Sequence, residues 1–166
     1  MVQVTFQQEA VTLVGNELKV GDQAPDFTVL SNDLKEVSSK DYEGKVKLIS
    51  VVPSVDTGVC SKQTKRFNDE AEKLDNVNVL TISMDLPFAQ ARWREVNDVK
   101  NVDLFSDHRN ADFGEKYGVL IKELRLLARA IFIVDSEDKI TYVEYVDEVT
   151  DHPNYDEALA QAKKAK

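Results

Sequence analysis

Val46-Lys47-Leu48-Ile49-Ser50-Val51-Val52-Pro53-Ser54-Val55-Asp56-Thr57-Gly58-Val59-Cys60 is the stretch on which the reading of the whole chain turns. Val46 to Val52 is a nearly continuous apolar run, the pattern of a strand covered on both faces. Cys60, the only cysteine, then opens a different period. Cys60, Thr64, Phe67, Ala71 and Leu74 recur every three or four residues, with Lys62, Lys65, Glu72 and Lys73 outside the stripe, so a helix with one buried face is expected. After Asn76 the run Val77, Val79, Leu80, Ile82 supplies a second strand. Strand, helix, strand implies a right-handed parallel crossover. Sites in such sheets form at the carboxyl ends of the strands, where Pro53 to Cys60 falls.

Working outward toward the amino terminus, Val2, Val4 and Phe6 alternate with polar residues and Val11 and Leu13 repeat the pattern, which reads as a hairpin with its turn near Gln7 to Glu9. Gly21-Asp22-Gln23-Ala24-Pro25-Asp26-Phe27 is irregular backbone leading into a short strand, Phe27 to Leu30, with Lys35 to Val37 as its partner across the Ser31-Asn32-Asp33 turn. Ser39 to Lys45 is a polar connection. In the other direction, Asp85-Leu86-Pro87-Phe88 reads as a capped helix start, with Asn97-Asp98 at its end. Val102 to Phe105 is a strand, and Asn110 to Tyr117 a short helix closed by Gly118. Leu126 to Val134 and Ile140 to Val146 pair as an antiparallel hairpin across Ser136 to Lys139. A last helix starts near Pro153-Asn154 and carries Tyr155, Leu159 and Ala162 on one face. This is the element order of an α/β, thioredoxin-like fold: an amino-terminal β-hairpin, a central mixed sheet and flanking helices.

With 166 residues the chain is read as a single domain, residues 1–166, with no repeat or linker. A net charge of −9 without a basic cluster would repel phosphate backbones and anionic membranes, so neither nucleic acid nor membrane is an expected partner. Met1-Val2-Gln3-Val4-Thr5 has no basic flank or apolar signal run, and a cytoplasmic location is expected. His108 and His152 lie in polar stretches and read as solvated loop residues without a second ligand at metal-binding spacing. There is no glycine-rich phosphate loop, and no cofactor is expected.

A thiol in the first turn of a helix sits beside unpaired N–H groups and the positive end of the helix dipole, which stabilises its thiolate and makes it a nucleophile. Read alone, a lone cysteine is just as well a small buried apolar residue. Thr57 lies three residues earlier, one turn if the helix has begun, so its hydroxyl can reach the sulfur or an oxygen beside it; as an N-cap it would instead serve the helix. Pro53 fixes the backbone where the strand ends and presents an apolar ring to the thiolate, or simply stops the strand. Pro53, Thr57 and Cys60 together form Pro-x-x-x-Thr-x-x-Cys, which resembles the peroxidatic loop of the peroxiredoxins. The Gly21 to Phe27 segment is similar to that family's amino-terminal segment.

Arg129, in Leu126-Leu127-Ala128-Arg129-Ala130, puts one charge into an apolar strand. It reads either as an edge residue whose guanidinium reaches water or as a buried charge that needs a partner. The resemblance implies the second, with Arg129 against the attacking sulfur. The likeness runs from about Val11 to Ala162 and includes Met84-Asp85-Leu86-Pro87-Phe88-Ala89-Gln90 and Tyr145-Val146-Asp147-Glu148, features of the thiol peroxidase branch. It implies a thiol-dependent peroxidase acting on hydrogen peroxide and organic hydroperoxides through a Cys60 sulfenic acid, recycled by thioredoxin or a small thiol, in a homodimer. The branch usually carries a resolving cysteine where this chain has Arg94. A one-cysteine redox sensor or interaction protein without sustained turnover is the alternative from another class. A disulfide reductase would need a nearby second cysteine.

Overall fold

The computed structural model describes Val2 to Lys166; Met1, with which the leader reading begins, lies outside the described residues. The chain runs through β1 (Val4–Phe6), β2 (Glu9–Val11), β3 (Leu13–Val14), β4 (Thr28–Leu30), β5 (Glu36–Ser38) and β6 (Val46–Val51), then α1 (Gly58–Ala71), β7 (Val77–Ser83), α2 (Pro87–Val96), β8 (Asp103–Ser106), α3 (Asp112–Lys116), β9 (Leu120–Ile121), β10 (Leu126–Leu127), β11 (Ala130–Val134), β12 (Ile140–Tyr145) and α4 (Tyr155–Lys164). Seven strands form the main sheet in the order β12-β11-β6-β7-β8-β4-β5. Its centre, β6-β7-β8, is parallel; β11, β12, β4 and β5 add antiparallel edges. This is the thioredoxin-like arrangement expected from the sequence.

Every residue of β6 is buried, because both faces of the sheet are covered. On one face Leu48, Val52, Val79 and Ile131 pack with Phe67 of α1, Trp93 of α2 and Ala158 and Leu159 of α4. On the other, Ile49, Val51, Leu80, Ile82 and Phe132 pack with Phe113 of α3, Tyr117 and Phe27. The second cluster is aromatic at its centre, with Phe113 and Tyr117 stacked at 4.4 Å between ring centroids.

Three local expectations need correction. Leu13 does not extend the amino-terminal hairpin: β1 and β2 close a tight turn with positive φ at Gln7 and Gln8 (52° and 70°), and Leu13–Val14 leaves to pair with β9. Glutamine is an uncommon residue in that backbone region. The Glu148 carboxylate offsets the cost by accepting both turn N–H groups, at 3.2 and 2.7 Å. Leu126 to Val134 is two strands, because Leu126–Leu127 pairs with β9 while Ala130–Val134 pairs with β6, and the chain crosses between sheets at Ala128-Arg129. Asp85 does not cap α2, whose N-cap Leu86 makes no side-chain hydrogen bond. Ser39–Tyr42 within the polar connection is a 3-10 turn with a Ser38 capping box.

Candidate active site

β6 ends at Val51, Val52 N–H still bonds to the Ile82 carbonyl, and Pro53 then turns the chain out of the sheet. The helix begins earlier than the apolar stripe suggested. Thr57 is the N-cap of α1 and Cys60 its third residue, with the Cys60 N–H donating to Thr57 Oγ1 at 3.2 Å. The Thr57 hydroxyl in turn points toward the Ser54 carbonyl at 3.4 Å. Thr57 is exposed, whereas Pro53, Val55 and Cys60 are buried. The capping reading of Thr57 therefore describes the resting structure, and the cap fixes the first turn that carries the sulfur.

Arg129 is not the solvated edge residue that was one of its two readings. It is 2% exposed, and its Nη2 donates to Cys60 Sγ at 3.2 Å. Nη1 donates to Gln63 Oε1 and Nε to the Val149 carbonyl, both at 2.8 Å. Gln63 also donates from Nε2 to Ser50 Oγ at 2.7 Å, so the guanidinium is fixed through the amide to β6 itself. Among the described residues no carboxylate is ion-paired with Arg129. A buried guanidinium cannot shed its proton and is costly without a counter-charge. Of its three partners only the sulfur is of a type that can carry a negative charge.

Gln63 was missed as a member of the site. It lies one turn after Cys60, and the signal was its polar side chain on the side of the helix that carries the cysteine. Asp85 was also missed in this setting: its carboxylate bonds to Ser54, the Val55 N–H and Ser83. Tyr155, at the start of α4, packs its ring on Phe67 and under the Arg66 guanidinium, and its hydroxyl meets His152 Nδ1 at 2.6 Å. Burial pushes the Tyr155 phenol up, while the charges of Arg129 and Arg66 oppose that shift.

The other chemistry-bearing residues lie apart. His152 is exposed beside Tyr155, and His108 is half-buried in the loop after β8. Arg94, in the last turn of α2, donates Nε to the Val99 carbonyl at 3.1 Å. The cleft lined by Pro25, Phe27, Lys47, Tyr117 and Asp138 is at the opposite end of β6 and contains no cysteine.

A thioredoxin-like sheet with a cysteine in the first turn of the helix after its central strand, faced by a buried arginine, defines a thiol-based redox protein. Comparison with known proteins is specific. Residues 19–159 match the Redoxin family model. The thiol peroxidase of Oceanobacillus iheyensis is 64% identical over 164 residues, spanning 99% of this chain and 100% of the relative. That of Bacillus subtilis is 60% identical over 163 residues, 98% of each chain. The crystal structure of a peroxiredoxin-like protein from Aquifex aeolicus superposes with a TM-score of 0.93 at 45% identity, covering 99% of this chain and 97% of that one. The chain belongs to the redoxin family, within the thiol peroxidase branch of the peroxiredoxins.

Proposed function

We propose that Cys60 is the peroxide-attacking thiol of this chain, with Arg129, Thr57 and Pro53 as its site. The activity is that of a thiol-dependent peroxidase. The observation that carries the residue assignment is the 3.2 Å contact between Arg129 Nη2 and Cys60 Sγ, made by a buried cation with no carboxylate partner among the described residues.

In the first step the Cys60 thiolate attacks one peroxide oxygen: an S–O bond forms, the O–O bond breaks, sulfur is oxidised by two electrons and the peroxide is reduced. The departing oxygen takes a proton and leaves as water or, from an organic hydroperoxide, as an alcohol. Arg129 and the N–H groups of the first turn of α1 stabilise charge as it moves from sulfur to oxygen. Thr57, freed toward the substrate or still capping, orients the peroxide oxygen beside the sulfur, and Pro53 keeps bulk water away. The sulfenic acid is then reduced by an external thiol, of which a thioredoxin-type protein is the expected donor: a mixed disulfide forms with loss of water, and a second thiol releases Cys60. With no other cysteine in the chain, nothing within it can form an intramolecular disulfide. Excess peroxide drives the sulfenic acid on to irreversible states.

The chain acts as a homodimer in the cytoplasm on this reading, supported by the branch to which it belongs; among the described residues no helix is long and apolar enough to cross a membrane. The test is a folded Cys60→Ser variant, which should consume no peroxide with a thiol donor while the native chain turns over many times. Peroxide reduction by that variant would end the assignment. Arrest of the native chain after about one turnover would favour the sensor.

A further inference from the structure

The turn that leads to Cys60 is held by a carboxylate that the peroxide chemistry does not use. Asp85 lies between β7 and α2. Its Oδ1 accepts the Ser54 hydroxyl at 2.6 Å, and its Oδ2 accepts the Val55 N–H at 2.8 Å and the Ser83 hydroxyl at 2.7 Å. The Asp85 carbonyl accepts the Ser106 hydroxyl, which ties the same residue to β8. Bonds to a carboxylate are stronger than those between neutral groups, and three converge here from two segments.

The turn so held shares the buried surroundings of the sulfur. Val55 and Cys60 belong to one apolar cluster, and both are 0% exposed. A peroxide is small, but a thiol reductant of any bulk needs the turn to move before it can meet the oxidised sulfur. We infer that Asp85 is a positioning residue, a latch that holds the Ser54-Val55 turn closed for attack on peroxide and whose release limits how fast a bulky thiol captures the sulfenic acid. Releasing the latch would misplace Thr57 and the first turn of α1 while lowering the cost of local opening, so the two half-reactions should move in opposite directions. A residue that merely stabilised the fold would not split them.

The inference rests on Cys60 as the attacking thiol, and the experiment separates the two ideas. Two rate constants are measured for the native chain and for Asp85→Ala: that for hydrogen peroxide, and that for capture of the Cys60 sulfenic acid by thionitrobenzoate, which gives a mixed disulfide and water with loss of colour. We expect Asp85→Ala to lower the first about tenfold or more and to raise the second about fivefold. Asp85→Asn and Ser54→Ala, which leave part of the bonding in place, should show the same opposed changes at smaller amplitude, and they carry the test if Asp85→Ala does not fold. Two constants that fall together, or both stay within about twofold of native in a folded variant, would overturn the latch. Failure of the native chain itself to consume peroxide would overturn the reading of Cys60 instead.

Discussion

Lys47 and Arg129 are cations buried at opposite ends of the seven-stranded sheet, and they are satisfied in opposite ways. Lys47, near the start of β6, is 3% exposed; its Nζ meets the Asp138 carboxylate at 2.7 Å and the Tyr42 carbonyl at 3.2 Å. Arg129, beside the far end of β6, is as deeply buried, but its partners are an amide oxygen, a backbone carbonyl and a sulfur. Lys47 brings its own counter-ion, so its charge is spent on holding the β11–β12 turn to the sheet. Arg129 brings none, and one of its three partners is the sulfur proposed above as the nucleophile. The partner set of a buried charge, rather than its burial, marks where chemistry is placed.

The largest expected effect tests that difference directly. Arg129→Gln keeps hydrogen-bonding capacity and removes the charge, and the rate constant with hydrogen peroxide should fall by about 10²- to 10³-fold, the size expected for a positioned charge-stabilising donor. Arg129→Lys should recover little, because an ammonium cannot hold the sulfur, Gln63 and the Val149 carbonyl at once. A folded Arg129→Gln variant reacting within about threefold of native would remove the distinction between the two cations.

A smaller effect is expected one bond further out. Gln63→Leu leaves Arg129 charged but removes the acceptor that fixes Nη1 and orphans the Ser50 hydroxyl. A loss of about tenfold in the same rate constant is expected, with a destabilisation of about 1–3 kcal/mol for the unsatisfied buried groups. Retained rate with lost stability would make Gln63 a core residue only. Lys47→Met is the counterpart at the quiet end: stability should fall by about 2 kcal/mol, less than for a fully buried pair because Asp138 is partly exposed and can rehydrate. Its peroxide rate should be unchanged. Chemical denaturation and stopped-flow kinetics on the same sample separate the two quantities.

Periodicity carried most of the fold, and the spacing of Pro53, Thr57 and Cys60 carried part of the candidate site. The continuous apolar run of β6, the stripe of α1 and the turn at Ser136 to Lys139 each have one local explanation, and the structure follows them, except that α1 begins before Cys60 and ends at Ala71, short of Leu74. Leu126 to Val134 does not, since an apolar run says nothing about which strand pairs with it; the change of sheet at Ala128-Arg129 depends on β9, which is too short to have a period of its own. Arg129 stood out because a charge in an apolar run must be explained. Gln63 and Asp85 did not, because a glutamine on a helix and an aspartate before Leu86-Pro87 have ordinary local readings, and their partners lie far along the chain. Thr57 was legible in type but not in use: the hydroxyl that can face substrate is also the cap of α1.

Asp107 sharpens the comparison from the other sign of charge, and it carries the smallest expected effect. It is 2% exposed at the end of β8, accepts the Phe113 and Gly114 N–H groups at 3.0 and 2.8 Å, and has no ion-paired cation among the described residues. It thus resembles Arg129 in lacking a counter-ion, yet it lies on the α3 side of the sheet, away from Cys60. The difference is that a carboxylate can take up a proton and a guanidinium cannot. Burial accordingly pushes Asp107 up from 3.8 to about 6, against the two N–H bonds that favour the charged form. A group whose folded value is raised contributes stability that is complete below its unfolded value and is lost as pH rises through the folded one. Asp107 should therefore stabilise the chain by about 1 kcal/mol more at pH 5 than at pH 7. Because other carboxylates titrate in the same range, the quantity to measure is the stability gap between native and Asp107→Asn by chemical denaturation at both values. The native stability minus that of the variant should rise by about 1 kcal/mol on acidification, whichever protein is the more stable at pH 7, since the native carboxyl gains a proton there and the amide does not. A signed difference that stays constant, or falls, would show that Asp107 remains charged when folded, and that the N–H groups of α3 alone suffice as its partners.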